Sequence, residues 1–411
     1  MTAQRTPLRW PVTWKDPSAL ELLRGTAIDH LVIEDSQDIA PVLARARQQG
    51  LPTSKAGSPP PRVTVVDGEW PGVKLTEKGD IDRVSAGPTG VPWIDSNGWK
   101  VRLTAEFHAG DEVWVHADPP KMRLSAESYL IAVADAAAHG GRWIISLDDQ
   151  LAEGITSRKP AALEVWQKVT GAAGFFSARK SWSTYLPEAV LGIISDFAGP
   201  NEPLGRELLN LVARTNQQYR ILLKTKVSKS SFSGLRAVLY ADEEPPSTDL
   251  KREILAFIQA GGMLITGPKW GPLPGAPAKE ADHPRYSLRI FGKGRLAVSN
   301  SDFDDPYLIA NDAVTLVSNR YQLLRFWNAG AVGSYFTMDP GRKRAVVHML
   351  FYAFLLGDNR PSVRVGRQCR KAALWTLDRP ASRSVEMEIQ KEAVELHLPT
   401  VSEYAAVELE F

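Results

Sequence analysis

"LRAVLYADEEPPSTDLKREILAFIQAGGMLITGP", residues 235–268, decides the fold class. Its opening apolar run is strand-like and ends in acids and prolines. "STDLKREILAFIQAGG" then sets a Ser or Thr at an N-cap, spaces its apolar residues at helical period and stops at a double glycine. "MLITGP" is a second buried strand. Strand, helix and strand in so few residues form a crossover unit, which joins parallel strands. The preceding stretch repeats the pattern, with "AVLGIISDFAGP" (189–200) as strand and turn and "NEPLGRELLNLVARTNQQ" (201–218) as helix. Residues 186–290 therefore read as a doubly wound α/β domain of flavodoxin-like or amidotransferase-like character. "GPLPGAPAKEADHPRY" (271–286) reads as a loop on composition.

Working outward, residues 1–185 alternate in the same way. "IDHLVIED" (28–35), "RVTVVDGEW" (62–70), "KVRLTAEF" (100–107), "EVWVHADPP" (112–120) and "RWIISLDDQ" (142–150) read as strands. "IAPVLARARQQG" (39–50) and "SAESYLIAVADAAAHGG" (125–141) read as helices, each ending at glycine. A full eight-stranded β/α barrel takes about 250 residues. The block is shorter, so a reduced or partly open TIM-like β/α barrel is expected. In residues 291–411, "GRLAVS" (294–299) reads as a strand, and "DAVTLVSNRYQLLRFWNAG" (312–330) and "KRAVVHMLFYAFLLG" (343–357) read as helices. From Pro361 onward the period is two, with turn residues between the runs, which predicts a small antiparallel β-sandwich.

Composition narrows the function. The 411 residues carry 49 basic and 47 acidic side chains, a formal charge of +2 with no long basic run. Nucleic acid and anionic membrane surfaces are poor partners for such a chain. One cysteine, Cys369, leaves no internal disulfide or cysteine-rich metal site. The seven histidines are scattered without H-E-x-x-H spacing, so neither metal nor cofactor is expected. No G-x-S-x-G elbow or phosphate-binding loop occurs. The start, "MTAQRTPLRWPVTW", lacks the apolar core of a secretory signal, so a cytoplasmic location is expected unless a signal was trimmed. "AVVHMLFYAFLLG" (345–357) is shorter than the roughly 20 residues that cross a bilayer.

The layout of barrel, amidotransferase-like domain and small β-sandwich resembles family 42-type β-galactosidases and related glycoside hydrolases. Residues 235–268 look like the middle domain of those enzymes, and "GKGRLAVSN", "KAALWTLD" and "VELHLPTVSEYAAVELE" are similar to their C-terminal segments. The resemblance implies a glycoside or oligosaccharide as substrate and a homo-oligomer joined through the middle domain. It also implies a catalytic Asn-Glu pair at a barrel strand end. The Asn-Glu of this chain, Asn201-Glu202, falls in the middle block before a helix, where Asn caps and Glu favours the dipole. The first expectation is a β-galactosidase-like glycoside hydrolase working by carboxylate acid/base chemistry, and a non-catalytic relative that binds glycans or scaffolds an assembly is the alternative.

Ligands meet parallel sheets at the C-terminal ends of the strands. Those ends carry Glu34 and Asp35, Asp67 and Glu69, Asp95, His116 and Asp118, and Asp148 and Asp149. Glycoside hydrolysis uses two carboxyls, one protonated and one ionised. Asp95 and Asp148 are the preferred catalytic pair, with Asp118 and Glu69 behind them. "AGPTGVPWIDSNGW" (86–99) offers Trp93, Asn97 and Trp99 as a sugar-binding wall, with Trp70, Trp114, His116 and Asp149 adding to the same rim. The structural reading of that stretch is two core tryptophans around a turn, and Trp70 and Trp114 near the same rim favour the sugar wall over it.

Overall fold

The structure, a computed structural model, describes residues 4–35, 39–73, 94–121, 123–278, 283–352 and 360–411. In the N-terminal block, the strands Pro7–Arg9, His30–Ile33 and Thr53–Lys55 form one parallel sheet. Val63–Asp67, Glu112–His116 and Arg142–Trp143 form another. A parallel bridge from Leu8 to Ile145 joins them, with the Ile145 amide donating to the Pro7 carbonyl at 3.0 Å. All six strands thus run the same way, each beside its sequence neighbour. No pairing closes Thr53–Lys55 onto Val63–Asp67 among the described residues, so no closed barrel is seen.

The array is nevertheless curled. Val32, Val63 and Trp114, from three of the strands, and Ile144, just past the end of a fourth, share one small core on its concave side. The alternate residues Leu8, Leu31, Val113, Val115, Trp143 and Ile145 pack outward against helices in a larger core.

"KVRLTAEF" is not a strand but most of the helix Gly98–Phe107. Its Val101 enters the N-terminal core and its Leu103 the middle core, so a helix wedged between two cores mimics period two. The topology requires it, because the parallel strands on either side need a crossover.

The middle sheet runs Tyr219–Leu223, Leu191–Ser195, Ala237–Tyr240, Met263–Thr266, Gly294–Ser299, all parallel, then Tyr286–Phe291 and Ala276–Pro277 antiparallel. Numbered by sequence, its parallel strands are ordered 2-1-3-4-5, a doubly wound arrangement. Ser247 caps the Thr248–Gln259 helix, accepting from the Leu250 amide at 3.3 Å. The sheet continues past residue 290 through Gly294–Ser299, and the helix Pro306–Val317 packs beside Glu202–Arg214. The 271–286 stretch is not wholly loop, since it holds the Ala276–Pro277 strand.

Two expected helices are corrected. Over 312–330 the helix ends at Val317, where Ser318 turns to φ 74°, and the chain resumes as the strand Leu324–Trp327. Over 343–357 the chain is the strand Arg344–Phe351, and residues 353–357 lie outside the described residues. Val346 and Leu350 of that strand pack against the N-terminal helices, while Val347, Met349 and Phe351 enter the C-terminal core. A strand buried on both faces is a continuous apolar run, which periodicity cannot separate from a buried helix. It belongs to a six-stranded sheet whose other face meets a four-stranded sheet across a shared core. Among the described residues, no helix is long and apolar enough to cross a membrane.

Candidate functional site

The inward residues at the C-terminal ends of the N-terminal strands converge. Because Leu8, Ile33 and Val115 point outward, Arg9, Glu34 and His116 face the mouth of the curled array. Arg9 is the hub. Its Nε lies 2.7 Å from Glu34 Oε1, and its guanidinium also holds the Asp118 carboxylate. His116 Nε2 stands 3.4 Å from Arg9 and 3.7 Å from Asp118, and His116 Nδ1 is 3.9 Å from Asp67. The hydrogen bond from Arg9, helped by its charge and that of His116, holds the Asp118 carboxyl below its ordinary 3.8. A cleft of about 280 Å³ opens beside these groups, lined also by Val12, Ser146 and Asp149.

The remaining candidates divide. Trp70 supports the mouth from behind, donating from Nε1 to the Asp118 carbonyl at 2.7 Å while its ring meets Tyr129 and Trp143 edge-on. Asp149 is exposed on the cleft wall.

Asp148 is buried and caps the helix Asp149–Thr156, accepting from the Leu151 amide at 2.9 Å and from the Tyr129 hydroxyl at 2.9 Å. Both its oxygens are engaged. Asp95 sits on a two-stranded ribbon opposite Gly72. It and Glu69 act on Arg214 of the helix Glu202–Arg214, and Glu69 also lies 3.4 Å from Lys100. Of the preferred pair, Asp148 is thus committed to a helix cap.

Of the described members of the tryptophan wall, Trp114 and Asn97 are buried. Trp114 is 1% exposed inside the concave core, with its Nε1 on Glu112, so it offers no surface to a sugar. Asn97 is fully buried and brackets the Glu69 backbone, accepting from its amide at 2.9 Å and donating to its carbonyl at 2.8 Å. Trp99 lies in the helix Gly98–Phe107, packed against the middle core under Lys100. Trp93 lies outside the described residues.

Sequence reading missed Arg9. A signal was present, since "PLRW" places Arg9 one residue after an apolar strand position and in phase with the other inward side chains.

A second hub sits at the C-terminal rim of the middle sheet. Lys224 Nζ lies 2.6 Å from Asp196 and 2.7 Å from Asp242, and 4.0 Å from Glu244. Asp242 is closed off from solvent and also accepts from the Ser195 hydroxyl. Burial disfavours the Lys224 ammonium, but hydrogen bonds and charges from both aspartates outweigh it, so its pKa is raised. Asn201 joins this cluster, donating to Glu244 at 2.9 Å and Asp196 at 3.2 Å. Its side chain makes no cap, contrary to expectation, whereas Glu202 does occupy the first helical turn and pairs with Arg206 at 2.8 Å. Among the described residues, no group of three or more His, Cys, Asp or Glu side chains is placed to hold a metal ion.

The sequence matches no family model and no curated protein. Solved structures do match. An α-L-fucosidase isoenzyme 2 from Paenibacillus thiaminolyticus aligns at TM-score 0.53 and 11% identity, over 95% of this chain and 78% of the fucosidase. A rhamnosidase from Novosphingobium sp. PP1Y aligns at TM-score 0.52 and 11% identity, over 91% of this chain and 38% of that enzyme. A β-galactosidase from Bacillus circulans sp. alkalophilus aligns at TM-score 0.48 and 10% identity, over 73% of this chain and 60% of the enzyme, so the chain spans less than two thirds of that relative. The chain thus shares an α/β fold with the fucosidase and the rhamnosidase.

Proposed function

We propose that this chain is a saccharide-binding relative of glycoside hydrolases that holds a sugar at the mouth of its N-terminal strands without cleaving it. One observation carries the reading: Arg9 pairs with both Glu34 and Asp118, and it holds the Asp118 carboxyl below the ordinary range. A glycosidase needs one carboxyl kept protonated near neutral pH to give its proton to the leaving oxygen. Around Asp118 the charges point the other way, so that carboxyl does not serve as such an acid. Guanidinium and carboxylates around an open cleft of about 280 Å³ suit sugar hydroxyls, which both donate and accept.

In this reading the curled strands are a shortened, open β/α barrel covering about residues 1–185. The doubly wound sheet is the flavodoxin- or amidotransferase-like unit through which copies assemble, and the C-terminal sheets form the sandwich. No cofactor takes part. The test is a panel of aryl β-galactosides, α-fucosides and α-rhamnosides, with binding of the free sugars measured by calorimetry. The expected result is binding, weakened in Arg9→Ala, and no turnover above buffer. Turnover that Asp118→Asn or Glu34→Gln abolishes would replace this reading with the β-galactosidase-like hydrolase. Light scattering on the eluting protein tests the homo-oligomer.

A further inference from the structure

Far along the chain from that mouth, one tryptophan stands open. Trp327 ends the Leu324–Trp327 strand, the outermost of the four-stranded C-terminal sheet, and is 43% exposed. Leu324 and Phe326 turn into the shared core, so Arg325 and Trp327 turn out. Among the described residues, no aromatic or cationic side chain stacks on the Trp327 ring. A groove of about 580 Å³ runs between this strand and the Thr215–Asn216 turn of the middle block, and Trp327, Asn328, Gln322 and Arg325 line it.

The lining is built rather than loose. Asn216 is pinned, donating to the Val332 carbonyl at 3.1 Å and accepting from the Ser334 hydroxyl at 2.7 Å. Gln322 accepts from Arg325 Nε at 2.9 Å, which orients the guanidinium and leaves its terminal nitrogens free to donate. Asn328, beside the indole, is held at φ 55° and its amide makes no bond to the described residues. A flat apolar ring face beside amide and guanidinium donors complements a pyranose, which has an apolar C–H face and a rim of hydroxyls. Pairing with another chain's strand is a poorer fit, because a four-residue edge with an outward arginine is a device that blunts such pairing.

We propose that this groove is a second saccharide subsite, taking a short chain of hexopyranose units on the Trp327 face. It shares a ligand class with the reading above and none of its residues. The test titrates the full chain with cellotetraose, xylotetraose and β-1,4-galactotetraose, read by calorimetry and tryptophan fluorescence. At least one probe should bind, and Trp327→Ala should weaken that site by roughly tenfold or more, since it removes the stacking face. Trp327→Phe should retain most of the affinity, and Asp118→Asn should leave this site intact. Equal affinity and stoichiometry in Trp327→Ala would overturn the proposal, as would no binding of any probe or loss of an oligomer instead of sugar binding. Binding lost in Asp118→Asn but untouched in Trp327→Ala would keep the mouth and discard this groove.

Discussion

Both parallel sheets plant one cation among carboxylates at the C-terminal ends of their strands, but one hub buries a carboxylate and the other leaves one open to solvent. Around Lys224, the Asp242 side chain has no exposure and Asn201 and Ser195 complete its surroundings. Around Arg9, Asp118 is 73% exposed and a cleft adjoins it. The hub that buries Asp242 uses its charges to hold the fold, because a buried carboxylate needs a partner. The open hub keeps its charges available to a ligand and gains little stability from them.

Removing the cations should expose this difference most sharply. Lys224→Met strands the buried Asp242 and should cost about 3–5 kcal/mol in chemical denaturation. Arg9→Met should cost about 1 kcal/mol or less, because its partners are partly or largely exposed. A larger loss at Arg9 than at Lys224 would break the contrast.

Asp148→Ala removes a helix cap and should cost about 1–2 kcal/mol, with saccharide affinity unchanged by calorimetry. A loss of affinity at unchanged stability would return Asp148 to the site.

The pH responses should also separate the hubs. The Lys224 pKa is raised on folding, so its stabilisation is complete below the ordinary 10.5 and fades as pH rises beyond it. The Asp118 pKa is lowered, so its small contribution is present above 3.8 and is lost as pH falls through the depressed value. Denaturation midpoints should therefore fall in strong alkali in wild type and much less so in Lys224→Met. The acid limb should change slightly in Asp118→Asn, the smallest of these effects.

Much of this frame could be read from residues. The alternation of β-branched runs, capped amphipathic helices and double glycines yields the parallel sheets, because each boundary has a local chemical marker. The rim position of His116 and Asp118 follows from period two along a single strand. What escaped depends on partners distant in sequence. Periodicity cannot tell that Arg344–Phe351 is a strand covered on both faces, since the covering takes two other layers. Asp148 and Asp118 look alike as strand-end acids, yet Tyr129 and the Leu151 amide occupy one while Arg9 pairs with the other. Trp114 and Trp70 differ in the same way, by which side of a curled sheet they occupy.

The ionisation of the mouth is read directly by carbon-detected NMR titration of labelled aspartate and glutamate carboxyls. Asp118 should titrate below 3.8 in wild type and move upward in Arg9→Met. A mouth carboxyl titrating at about 6–7, the range of a tuned general acid, would contradict the non-catalytic reading.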